Sequence, residues 1–120
     1  MKYLSIGLRA LLTLAFVSAG LAKLSGAEMM VGTFDAIGVG QWFRYVTGAI
    51  EVVGAVMLWL PRRQVLAAAL LGATMVGAVL AHIFILGALS GIPAVILGLM
   101  CAAVIYLHRD QISETLGATA

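Results

Sequence analysis

Residues 42–60 read WFRYVTGAIEVVGAVMLWL, an apolar stretch built around one acid, Glu51. Trp42 and Trp59 bracket it and lie about 26 Å apart on a helix that rises ~1.5 Å per residue. That separation is close to the ~30 Å hydrocarbon core of a bilayer. A carboxylate at mid-depth is costly to bury, and such groups face a bundle interior and take a partner. The stretch therefore predicts a membrane-spanning helix with a polar centre at its middle.

The surrounding composition agrees. Of 120 residues, 63% are hydrophobic and 10% are charged, where a soluble domain carries nearer ~25% charged residues. No soluble fold of this length has interior enough for so much apolar side chain, so the lipid bilayer is the predicted solvent. The formal net charge of +2 is not the footprint of a nucleic-acid binder. Lys2, Arg62, Arg63 and Arg109 fall at segment ends, where basic residues set topology. Cys101 is the single cysteine and no C-x-x-C pair exists, which disfavours an internal disulfide and thiol–disulfide chemistry. Two histidines without a Cys/His cluster predict no metal site. Met1 to Leu24 has the charged start and apolar run of a signal peptide, but Arg9 interrupts the run, so the segment reads as a first span.

The pattern gives one all-α domain over residues 1–120, a membrane four-helix bundle with a short amphipathic interfacial helix between helices one and two. The spans are predicted at about 3–24, 42–60, 64–86 and 92–107, and the interfacial helix at about 26–37. In helix one, Arg9, Thr13, Phe16, Gly20 and Lys23 recur at spacings of three and four and share a face. Ser25-Gly26-Ala27-Glu28 has capping-box spacing. Ala27, Met30, Val31, Phe34 and Ile37 then fall opposite Glu28 and Asp35, on a segment too short and charged to span. It reads as a packed connector or as a lid over a site. Gly48 and Gly54 flank the acid and permit a close neighbouring backbone. Ala69, Ala73, Gly77 and Ala81 form a strip of small residues predicted to pack closely, with His82 beside it. Pro93 suits an early helical position, and residues 111–120 read as a polar, frayed end.

Basic residues set the topology. Lys2, Arg9, Arg62, Arg63 and Arg109 fall on one side, Lys23 and Arg44 on the other, which predicts both termini in the cytoplasm. Helical side chains lean toward the helix N-terminus. Glu51 then leans outward, while Lys23 and His82 lean toward it. Two arrangements stay open: Glu51 facing His82 and Lys23 in an outward-half pocket, or Arg9 neutralising Glu51 as a structural pair. Arg9, Lys23, Glu51 and His82, with Tyr45 nearby, are the candidate lining of one polar cavity.

Four stretches carry a family resemblance: Arg9 to Lys23 (RALLTLAFVSAGLAK), Phe34-Asp35-Ala36-Ile37-Gly38, the block TGAIEVVG from Thr47 to Gly54, and His82 late in the third span. Together they resemble the DoxX family over nearly the whole chain. The resemblance implies a bacterial, four-helix, multi-pass protein of the cytoplasmic (inner) membrane. That family takes its name from a membrane subunit of an archaeal quinone-reducing sulfur-oxidation system, and other members are linked to oxidative stress. Arg9, Lys23, Glu51 and His82 are the positions that carry over, without assigned roles.

Three functions follow as expectations. One is a redox-associated membrane subunit that binds a quinone or a similar lipid, with His82, Glu51, Tyr45, Phe16 and Trp42 available around it. A second is a small proton-coupled transporter that uses Glu51. A third is a non-catalytic scaffold for membrane or redox partner proteins. A bis-histidine haem is disfavoured, because His82 and His108 fall toward opposite ends. Enzymatic activity, catalytic residues and a homo-oligomer are left open.

Overall fold

A computed structural model describes residues 2–112. Five α-helices follow in order: α1 (Lys2–Ser25), α2 (Glu28–Ile37), α3 (Trp42–Met57), α4 (Gln64–Ala81) and α5 (Ile92–Leu107). A π-helical turn, His82–Leu86, and a 3-10 turn, Ala88–Gly91, join α4 to α5. The long axis of the molecule is 41 Å, the thickness of a bilayer with its headgroup regions, ~40–45 Å. Among the described residues, three segments are long and apolar enough to cross a membrane: Lys2–Ser25, Gln64–Leu86 and Leu89–Leu107. With α3 they form the expected four-helix bundle, and α2 is the extra short helix.

Helix α3 is shorter than the 42–60 expected. Its regular part ends at Met57, after 16 residues. Beyond it, Trp59 N–H donates to the Val56 carbonyl and Leu60 N–H to that of Met57, so the chain tightens into i→i+3 turns. Pro61 explains the end, since the residue before a proline is driven out of the α region. The third span covers the 64–86 expected, with its α-helical part ending at Ala81 and a π-turn carrying it on from His82 to Leu86. Gly87 closes that turn at φ +114°, with its N–H donating to the His82 carbonyl at 2.6 Å.

The capping box at Ser25 does not form. Ser25 is the last residue of α1, and its hydroxyl donates back to the Ala22 carbonyl. Gly26, at φ +78°, turns the chain before α2 begins. Pro93 does sit in the first turn of α5. Of the expected frayed end, residues 113–120 lie outside the described residues. Gln111 is not frayed: it is buried, and its amide donates to Gln64 Oε1 at 2.7 Å.

Two hairpins, α1 on α3 and α4 on α5, are joined through α3 and α4. The apolar core runs through Leu12 and Phe16 of α1, Ala55 of α3, Leu71 and Met75 of α4, and Cys101 and Val104 of α5. Helices α1 and α3 touch backbone to backbone. A Cβ on Gly48 would stand 3.0 Å from the Gly20 carbonyl oxygen and 3.0 Å from Lys23 Cβ. Neither atom is the free end of a flexible side chain, so Gly48→Val is expected to cost about 1–3 kcal/mol by overpacking. Gly72→Ala, whose Cβ would meet Cys101 at an ordinary 3.5 Å, is the matched control. Thermal melts in detergent should separate the two, and equal melting temperatures would refute the close crossing.

The small-residue strip on α4 does not pack against a neighbour. Ala69 is exposed, Ala73, Gly77 and Ala81 line an open cavity instead, and a Cβ on Gly77 would meet nothing within 4 Å. The residues of α4 that do pack are Ala67, Ala68, Leu71 and Met75. Small side chains leave room either for a second backbone or for a void, and here they make the void.

Candidate functional site

Glu51 sits in the middle of α3 and is 2% exposed. The Gly20–Gly48 crossing draws the end of α1 against α3 and delivers Lys23 to the acid: Lys23 Nζ lies 2.7 Å from Glu51 Oε1. The contact is an ion pair rather than a well-directed hydrogen bond, since Oε1 accepts no aligned bond. A charge pair in low-dielectric surroundings loses hydration and regains most of it by mutual attraction.

Arg9 is not part of this pair. It lies 14 residues before Lys23, or about 21 Å along α1. Its Nε donates to Ser5 Oγ at 3.1 Å and an Nη donates to the Leu58 carbonyl at 3.1 Å. Its guanidinium stands 4.8 Å from the Trp59 ring. The same end holds a Ser5–His108 contact of 2.6 Å. Burial, and then the Arg9 charge, push the His108 imidazole below its ordinary value, against a smaller opposing effect of Asp110. These groups tie α1 to the turn after α3 and to the end of α5 at one end of the bundle.

A cavity of about 950 Å³ opens beside the ion pair, at the upper end of the ~300–1,000 Å³ typical of small-molecule sites. Lys23 and Glu51 form one wall, and His82 with Ser90 forms another. Met30, Phe34 and Ile37 of α2 line it, together with Phe43, Met75 and Leu86. Three threonines, Thr33, Thr47 and Thr74, add hydroxyls. The site thus brings Lys23, Glu51 and His82 to one space. Arg9 does not line it, and neither does Tyr45, which is half exposed and lies against Arg44 at 4.3 Å.

Helix α2 covers the cavity with its apolar face and is fastened by a polar chain. Gln41 Nε2 donates to the Val31 carbonyl at 3.1 Å and to Asp35 Oδ1 at 2.8 Å. Gln41 Oε1 accepts from Arg44 Nε at 2.8 Å, and Arg44 in turn donates to the Lys23 carbonyl. Arg44 is 5% exposed. Phe34 meets Phe43 edge to face at 5.9 Å. Sequence reading placed Arg44 only as a topology charge. The signal for its burial was its spacing of seven residues from Glu51, two helical turns on the same face.

Chemically, the cavity joins a proton-bearing ammonium, a carboxylate and an imidazole to a greasy, polarisable wall of Met and Phe. Among the described residues, no three His, Cys, Asp or Glu side chains gather into a metal-holding group.

A model of the DoxX-like family matches residues 7–106. A Bacillus subtilis (strain 168) protein named "Putative oxidoreductase CatD" is 30% identical over 73 residues, which make up 61% of this chain and 54% of that protein. The chain thus spans about half the length of this curated relative. No solved structure matches the chain.

Proposed function

From a chain that belongs to the DoxX-like family, we propose a redox-associated membrane component that binds a quinone, or a lipid of similar shape, in the cavity walled by Lys23, Glu51 and His82. One observation carries this reading. A single space under α2 combines an apolar Met and Phe lining with a buried ion pair and an imidazole. A quinone head needs polar groups for its oxygens, and its ring and tail need an apolar slot. The oxidoreductase name borne by the Bacillus relative supports redox chemistry as the setting.

The proton-coupled transporter is the weaker reading. Its carboxylate must exchange partners during a cycle, whereas Glu51 is already neutralised by Lys23 at 2.7 Å.

Orientation belongs to the same proposal. Lys2, Arg9 and Arg109 lie at one end of the bundle, because Ser5 and His108 touch there, and Arg62 and Arg63 follow the turn whose Leu58 carbonyl Arg9 holds. By the positive-inside rule that end is cytoplasmic, in a bacterial inner membrane.

The test is native mass spectrometry after mild extraction from a quinone-containing membrane. The intact chain is expected to retain a quinone-mass ligand, and Glu51→Gln to lose most of it. A wild-type protein that carries only phospholipid, and that gains nothing from added quinone, would sink the proposal.

A further inference from the structure

Helices α3 and α4 meet at one level of the bundle and part beyond it. A Cβ on Gly54 of α3 would stand 2.6 Å from Leu71 Cδ2 and 2.8 Å from Leu71 Cγ, so the two helices touch there. Toward the π-turn, each leans on a different neighbour. Helix α3 is drawn to α1 by the Gly20–Gly48 crossing and by Arg44, which donates to the Lys23 carbonyl. The end of the third span leans on the start of α5 instead: a Cβ on Gly91 would stand 2.9 Å from His82 Cβ. The cavity fills the wedge between them, with Thr47 and Ile50 on the α3 side and Ala73 and Gly77 on the α4 side.

The wedge is bounded on three sides. Its narrow end is the Gly54–Leu71 contact. Its back is the core side chain Met75, 6% exposed. Its wide end is roofed by α2, which packs against the π-turn and is fastened through Gln41. The fourth side is open. Ala73 and Gly77 are exposed although they line the cavity, and Ile50 and Leu70 are half-buried. All four are apolar. Ile50 adjoins Glu51 at the middle of α3, so this mouth faces hydrocarbon rather than water. The polar groups enter from elsewhere, Lys23 from α1 and His82 from the π-turn.

We propose that the ligand enters sideways from the bilayer, through the gap between α3 and α4, and stays threaded through it. It is an amphiphile whose head rests by Lys23, Glu51 and His82 and whose long apolar tail runs out past Ile50 and Ala73 into lipid. This rests on the quinone-type reading above and adds the route and the tail. A polar head leaving hydrocarbon gains partners for its oxygens, while a tail left in the gap never leaves an apolar medium. A ligand coming from water must displace α2 and its polar fastening.

The test compares two ligands that share one fully substituted 1,4-benzoquinone ring, bearing either a methyl group or a geranyl tail. Binding is measured to the full-length protein in one detergent, so that partition of the tail cancels between variants. Ala73→Trp plugs the mouth from α4, and Ile50→Trp plugs it from α3. Ile96→Trp, at an exposed position on α5, is the control. Either plug is expected to weaken the geranyl ligand by about tenfold or more and the methyl ligand by less than about twofold, and the control to change neither. Melting curves show which variants are folded, and one folded plug suffices. Equal losses for the two ligands, or no loss for the geranyl ligand, would overturn the tail path and leave the cavity reading standing. Failure of both ligands to bind the wild type would remove both.

Discussion

Lys23→Met should be the most damaging single substitution in the bundle interior, lowering stability by about 3–4 kcal/mol, within the range for other buried pairs that lose one member. It leaves the Glu51 carboxylate, 2% exposed at the middle of α3, without its cation 2.7 Å away. The cost has a ceiling. A carboxyl with an ordinary value near 4.3 can be kept protonated at neutral pH for about 4 kcal/mol, so a stranded Glu51 would take up a proton rather than remain charged. The reverse substitution, Glu51→Gln, should cost less. Lys23 lies in the last turn of α1 and has a long flexible stem, so an unpaired ammonium there can reach the interface. The double variant removes both charges and should return to within about 1 kcal/mol of the wild type, because nothing stays stranded. Urea or thermal unfolding of the three variants, read as a double-mutant cycle, supplies the coupling. Arg9→Gln is the control and should add independently to Glu51→Gln, since its guanidinium is engaged with Ser5 and Leu58. Strict additivity between positions 23 and 51 would refute the ion pair.

Much of this pair was legible in residue order. Lys23 closes one helix and Glu51 centres the next, and both lean toward the same depth because the helices run in opposite directions. Arg9 leans away from the acid on the same rule, which is why its place on the shared face of α1 did not make it a partner. Arg44 was harder to read. A basic residue one turn into a span announces topology, and only its register with Glu51 hinted at burial. The π-turn at His82 was not legible, because it depends on where Gly87 and Ser90 fold back, a contact across the loop rather than along the helix. The α4 strip was misread for a physical reason: spacing shows that Ala73, Gly77 and Ala81 share a face, but not what stands opposite. That is set by α2, whose own position hangs on the Gln41 and Arg44 contacts. Sequence patterns report the shape of one surface, and a cavity needs two.

The same strip offers a way to close the cavity without touching its polar groups. Gly77 sits on the wall, and a Cβ there would meet nothing within 4 Å. Gly77→Leu should therefore enter without strain, and it replaces a helix-interior glycine, which is disfavoured by about 0.8–1.0 kcal/mol relative to alanine. Stability is expected to hold or to rise by up to about 1 kcal/mol. Ligand affinity should fall by about 100-fold, a loss near 2.8 kcal/mol, because the side chain takes space that the ligand ring or tail would fill. Lys23→Met weakens both fold and binding, so it cannot tell a site from a structural prop. Gly77→Leu separates the two, since only a ligand that occupies this volume would notice it. Titration of a short-tailed quinone against both proteins, alongside their melting curves, makes the distinction. An unchanged affinity in a stable Gly77→Leu protein would move the ligand elsewhere and leave the Lys23–Glu51 pair as a clamp between α1 and α3.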